Sequence, residues 1–132
     1  MPSISKTTAP RSEVHGPVEN HAGELDAYSV DFLAFAEPMD MSPMLKGLPD
    51  DMCQCPHWGY VTKGKLTFRF AEYEEVFEAG HAFYVGPGHV PSVEAGTEYM
   101  HFSPTADVAA VQEAIHRNMA QMGPGGPAAS AS

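Results

Sequence analysis

From Tyr28 to Phe102 the chain is cut at short intervals by small turn-forming residues, and no other feature limits its fold so strongly. Lys63-Gly64, Ala71-Glu72, Ala79-Gly80, Gly86-Pro87-Gly88 and Ala95-Gly96 separate runs rich in β-branched and aromatic side chains. The runs are Tyr28–Phe35, His57–Thr62, Lys65–Phe70, Tyr73–Glu78, Ala82–Val85, Val90–Glu94 and Thr97–Phe102. Alternation is clearest in Lys65–Phe70, where Leu66, Phe68 and Phe70 fall on one face and Thr67 and Arg69 on the other. Strands recurring roughly every 8–12 residues between glycine turns specify an all-β sandwich or barrel.

One helix is expected after the last strand. Ser103 or Thr105 can cap it and Pro104 suits its first turn. Val108, Val111, Ile115, Met119 and Met122 then form an apolar stripe at helical spacing, to be packed on the barrel or on a second subunit. The chain therefore divides into a flexible arm at 1–22, a barrel at 23–104, a helix at 105–122 and a disordered tail at 123–132. The arm is polar and aperiodic, and the tail, GPGGPAASAS, is of low complexity. The segment 37–52 holds three prolines and four methionines. A loop this long is uncommon unless it covers something. It is either an adaptable methionine lid over the barrel mouth or a plain surface connection.

A chain of 132 residues with 43% hydrophobic content suits one domain. A formal net charge of −10 excludes a nucleic-acid surface and docking on anionic lipid, since both need clustered Lys and Arg. No run approaches the roughly 20 apolar residues that span a bilayer, and the N-terminus lacks the apolar core of a signal peptide. A cytoplasmic protein is expected.

The candidate chemistry lies in CQCPHW, which contains both cysteines and the only tryptophan of the chain. If this stretch is a strand, Cys53, Cys55 and His57 leave one face together. Two thiolates and an imidazole on one face are a partial metal site. The cysteines are poorly placed for a disulfide, because residues two apart in a strand have Cα atoms about 6.6–6.8 Å apart. The simpler alternative makes them small buried hydrophobes beside a hydrogen-bonded histidine, and redox sensing by the paired thiols is a third reading. Trp58 and Tyr60 share the face opposite His57. They either pack as core between sheet and helix or face outward to a partner. One of Phe83 and Tyr84 should line the interior. His15, His21 and His116 are expected in solvent, as is the acidic run Glu72, Glu74, Glu75 and Glu78.

Two stretches resemble the motifs of the cupin family. Gly64, between an aromatic–aliphatic strand and KLTFRF, resembles the glycine that ends the first motif. GHAFYVGPG at 80–88 resembles the second motif, with His81 in place of the usual acid and Gly86 in place of the usual proline. The resemblance spans residues 25–104. It implies a small jelly-roll barrel (a double-stranded β-helix), generally dimeric, with a metal ion inside. Cupins commonly carry His-x-His and a glutamate in the first motif and a histidine in the second. Here Cys53 and Cys55 stand for the two histidines and His57 for the glutamate if the following turn is short; otherwise Asp51 and Cys53 take those places, with His57 as third ligand. Pro91 occupies the second motif's histidine position, and His89 lies two residues earlier with the same strand parity. His89 or His101, which alternates with Tyr99 and Ser103, would complete the site. The expected cofactor is a divalent ion, Zn²⁺ first and Fe²⁺ second. The expected function is a metal-binding cupin, either an oxygenase- or isomerase-type enzyme acting on a small organic molecule or a non-enzymatic module with a closed Cys/His zinc site.

Overall fold

The strands assemble around the turns named above. In a computed structural model that describes residues 2–121, the elements are β1 (Arg11–His15), β2 (Val18–Leu25), β3 (Tyr28–Phe35), β4 (Met39–Asp40), β5 (His57–Lys63), β6 (Lys65–Arg69), β7 (Glu74–Glu78), β8 (Ala82–Val85), β9 (Val90–Val93), β10 (Thr97–Pro104) and α1 (Thr105–Gln121). Two antiparallel sheets result, ordered β1-β2-β3-β10-β5-β8 and β4-β9-β6-β7. From β3 onward the chain passes repeatedly from one sheet to the other, which is the jelly-roll arrangement.

The N-terminal segment departs from expectation. Residues 11–22 are not an arm: β1 and β2 form a hairpin, and β2 pairs along its whole length with β3, from Val18 opposite Phe35 to Leu25 opposite Tyr28. Gly16, with φ of 59°, makes the turn between them. The stretch looks aperiodic because its strands carry polar side chains on both faces, yet their backbone groups extend a sheet that already exists. The barrel thus begins at Arg11. Met122 and the tail expected at 123–132 lie outside the described residues.

The core between the sheets contains Phe35, Val61, Leu66, Phe68, Phe83 and Val85. Two glycines are required by close approach. A Cβ on Gly59 would lie 2.4 Å from the Met100 carbonyl oxygen and 2.5 Å from the Phe83 ring. Gly64 turns β5 into β6 with φ of +75°, against Thr97.

Helix α1 follows β10 directly; Pro104 ends the strand and does not lie in the helix's first turn, and Val108, Val111, Ile115 and Met119 of its stripe face a cavity in the barrel. The 37–52 segment lies between them as a lid, not as a plain surface connection. It forms β4 and two short 3-10 turns, Ser42–Leu45 and Pro49–Asp51, and buries Met39, Met44 and Leu45. The buried Asn118 of α1 donates from Nδ2 to the carbonyl oxygens of Met44 and Lys46, at 2.8 and 2.9 Å, and so ties lid to helix. On the opposite side of the large sheet Trp58, Tyr60 and Tyr84 are exposed, so the outward reading holds for the first two and not core packing. Among the described residues no helix is long and apolar enough to cross a membrane.

Candidate metal centre

Strand register aligns the polar side chains of the interior. Across β2, β3, β10 and β5, Ser103 lies beside His57, Asp31 opposite His101, and Asn20 and Tyr99 on either side of Leu33. Residues opposite one another in an antiparallel pair share a face, so these groups line one wall. The second sheet contributes His89, just before β9.

Cys53 reaches that wall by a route the spacing did not predict. Residues 53–56 are not strand; β5 begins only at His57, after Pro56. Cys53 is instead clamped to the chain at His89. Its N–H donates to the His89 carbonyl oxygen at 2.8 Å, and the N–H groups of Gly88 and His89 donate back to its own carbonyl at 2.8 and 3.2 Å. Cys53 Sγ then lies 3.7 Å from His57 Nε2, and the donor atoms of Cys53, His57 and His89 fall within 4.8 Å of one another.

Each imidazole is oriented by a hydrogen bond on its far side. His89 Nδ1 donates to the Gly86 carbonyl oxygen at 2.6 Å, which fixes the tautomer and leaves Nε2 as a bare lone pair. That Nε2 is fully buried and has no hydrogen-bond partner among the described residues. His57 Nδ1 lies 2.6 Å from the Ser103 hydroxyl, directing Nε2 toward Cys53. Burial holds His57 well below its usual pKa, reinforced by His101 and His89. Burial lowers His89 to about 4, although its bond to Gly86 works the other way. Burial also pushes the Cys53 thiol up to about 11. Without an ion the cluster is therefore a neutral thiol and neutral imidazoles.

The remaining sequence candidates stand apart from this group. His101 stacks on His57 at 4.2 Å between ring centroids, but its Nδ1 faces Ser103 at 3.3 Å and Asp31 at 3.8 Å. Cys55 is buried under α1 among Leu45, Val90, Val108 and Val111, and its thiol donates to the Pro56 carbonyl oxygen. It takes the small-hydrophobe role because the chain does not continue as a strand through Pro56. Asp51 is exposed, and its Oδ1 accepts the Gly47 N–H at 2.9 Å.

The three clustered donors fit a metal ion. Tetrahedral Zn²⁺ with ordinary bond lengths separates a sulfur from a nitrogen ligand by roughly 3.5 Å, close to the 3.7 Å between Cys53 and His57. Buried polar atoms normally have partners, and the orphaned His89 Nε2 is the one whose need an ion would meet. The cluster adjoins a cavity of about 150 Å³ between the large sheet, the lid and α1. Cys53, His57, His101 and Asp31 line its polar side, and Leu33, the lid methionines and Ile115 its apolar side.

No protein-family model matches the chain, and no curated protein matches it either. Its architecture is nonetheless shared with solved structures. A protein of unknown function from Rhizobium leguminosarum bv. viciae 3841 superposes with a TM-score of 0.54 at 15% identity, over 78% of this chain and 95% of its own. A putative ethanolamine utilization protein Q from Salmonella typhimurium LT2 gives 0.53 at 11% identity, over 78% and 85%. An RmlC-like cupin from Shewanella frigidimarina NCIMB 400 gives 0.51 at 16% identity, over 76% and 88%. The fold is that of a small cupin.

Within this cupin barrel the departures from the motif acquire a physical form. Pro91 lines the cavity where the second motif has histidine, and His89, two residues earlier, is wholly buried and turned inward, as equal parity requires. Sequence reasoning offered Ser103 only as a helix cap and gave no role to Asp31 or Asn20. Only strand pairing across the sheet shows that they share the wall with His57 and His101, and Asn20 lies in the segment read as an arm.

Proposed function

We propose that this cupin holds one divalent metal ion through Cys53 Sγ, His57 Nε2 and His89 Nε2, and that the ion serves a small organic molecule bound in the adjoining cavity. The observation that carries the reading is the buried, unpartnered Nε2 of His89, aimed with its tautomer fixed at a thiol and a second imidazole. One sulfur and two nitrogens suit Zn²⁺ first and Fe²⁺ second. Three protein donors leave a coordination position open, as catalytic sites do, whereas a structural zinc site is closed by four. Among the described residues the two remaining sequence candidates, Cys55 and His101, fall outside the group of donors within 4.8 Å of one another, which favours the enzyme reading over the closed binding module. A bound ion would supply Lewis acidity at that open position, suited to oxygenase- or isomerase-type reactions.

Metal analysis of protein purified without chelator tests this. About one ion per chain is expected, and X-ray absorption should find one sulfur and two nitrogen ligands from the protein. Protein that takes up neither Zn²⁺ nor Fe²⁺ on reconstitution would overturn the reading, and two sulfur ligands would overturn the ligand set.

A further inference from the structure

The cavity's polar wall offers acceptors with little to accept. Asp31 is almost fully buried, and Asn20 Nδ2 donates to its Oδ1 at 3.1 Å. That bond fixes the amide, and it leaves Asn20 Oδ1 buried with no partner among the described residues. His101 Nδ1 lies 3.8 Å from the other oxygen of Asp31, which accepts no hydrogen bond among the described residues. Glu13, exposed and 2.9 Å from His15 Nε2, adds a second carboxylate to the lining. Among the described residues no Lys or Arg lines the cavity. Arg11 lies across β2 in the same register row as Asp31, but its guanidinium is paired with Glu24.

A carboxylate taken out of water is costly unless it is paired or receives hydrogen bonds. An anionic ligand would meet two carboxylates and, among the described residues, no Lys or Arg. A hydroxyl brings one donor for two adjacent acceptors, whereas an ammonium brings three and also neutralises Asp31. Apart from this wall the lining is mostly apolar, with Leu33, Met39, Met44, Ile115 and Met119, and α1 adds Gln112 and His116. Apolar cavities of about 150 Å³ accept a benzene-sized molecule. We infer that the cavity is built for a small primary amine with an apolar body, its ammonium group held between Asp31 and Asn20 Oδ1. This rests on the proposed function in placing the amine beside the metal cluster, but the recognition of the head group needs no ion.

Calorimetric titration with benzylamine, benzyl alcohol and benzoate tests it on the full chain, both freed of metal by chelator and loaded with Zn²⁺. Benzylamine should bind both forms at least tenfold more tightly than benzyl alcohol, and benzoate should not bind the metal-free form. Asp31→Asn, confirmed folded by circular dichroism, should lose at least tenfold in benzylamine affinity and little in benzyl alcohol affinity. Benzoate binding the metal-free form as well as benzylamine does would overturn the inference, and that comparison needs no variant. Benzylamine binding only to the Zn²⁺ form would also overturn it, since the amine would then be a ligand of the ion. Failure to load Zn²⁺, with benzylamine binding intact, would remove the metal reading and leave this one standing.

Discussion

Ser103 Oγ stands 2.6 Å from Nδ1 of His57. If His57 Nε2 is to carry a lone pair for a metal, Nδ1 must hold the proton and donate it to this hydroxyl. Ser103 is fully buried and lies 3.3 Å from His101 Nδ1 as well, so one short side chain orients two imidazoles. Ser103→Ala should therefore weaken Zn²⁺ binding by about 10–100-fold, the usual loss when such a partner is removed. Competition against a chromophoric chelator measures this. Unchanged affinity would mean that the bond serves packing alone.

The two cysteines should behave oppositely. Cys53 lies in the donor cluster, and Cys55 is packed beneath α1. Cys53→Ser should reduce retained metal at least a hundredfold while the barrel stays folded. Cys55→Ala should keep one ion per chain and cost about 1–2 kcal/mol of stability through the space it leaves. Elemental analysis with a thermal melt reads both variants, and the reverse pattern would return the site to the spacing-based expectation.

That contrast shows how far spacing alone could reach. The barrel was legible because glycine turns and alternation are local, and β5 to β10 lie close to where the sequence places them. His57 and His89 were legible because strand parity decides which side chains point inward. Cys55 falls outside the donor group because the parity argument assumed a strand through Pro56, whereas β5 begins at His57. The β1–β2 hairpin was missed although its pairings, β1 with β2 and β2 with β3, are local, because strands polar on both faces carry no hydrophobic period. Ser103, Asp31 and Asn20 become a group only through register between β2, β3, β10 and β5, which no local pattern encodes.

Acid should destabilise the metal-free protein. In the unfolded chain a histidine titrates near 6.5, whereas burial lowers His89 in the fold to about 4. Between those values the unfolded state holds a proton that the folded state lacks. Stability is thus fully present above about 6.5 and is lost progressively as pH falls toward 4. His89 alone should contribute a loss of about 2 kcal/mol between pH 7.5 and pH 5. His57 and His101 are displaced in the same direction, both chiefly by burial. Urea unfolding across this range should show stability falling with acid, and His89→Gln should reduce the slope. A flat profile in chelator would show that these imidazoles are not buried in neutral form.

The lid depends on Asn118, and its removal should separate lid closure from barrel folding. Asn118 Nδ2 donates to the carbonyl oxygens of Met44 and Lys46, and these bonds join α1 to the segment that carries the cavity's methionines. Asn118→Ala would leave the Met44 carbonyl without that partner near the buried Met44 and Leu45, at a cost of about 1–3 kcal/mol. The ten strands do not use this side chain, so the barrel should still fold, with a midpoint lower by several degrees. Hydrogen exchange should accelerate in residues 41–52 and remain slow in β5 and β10. Equal acceleration throughout would mean that lid and barrel unfold as one unit. The cavity would then have no door of its own.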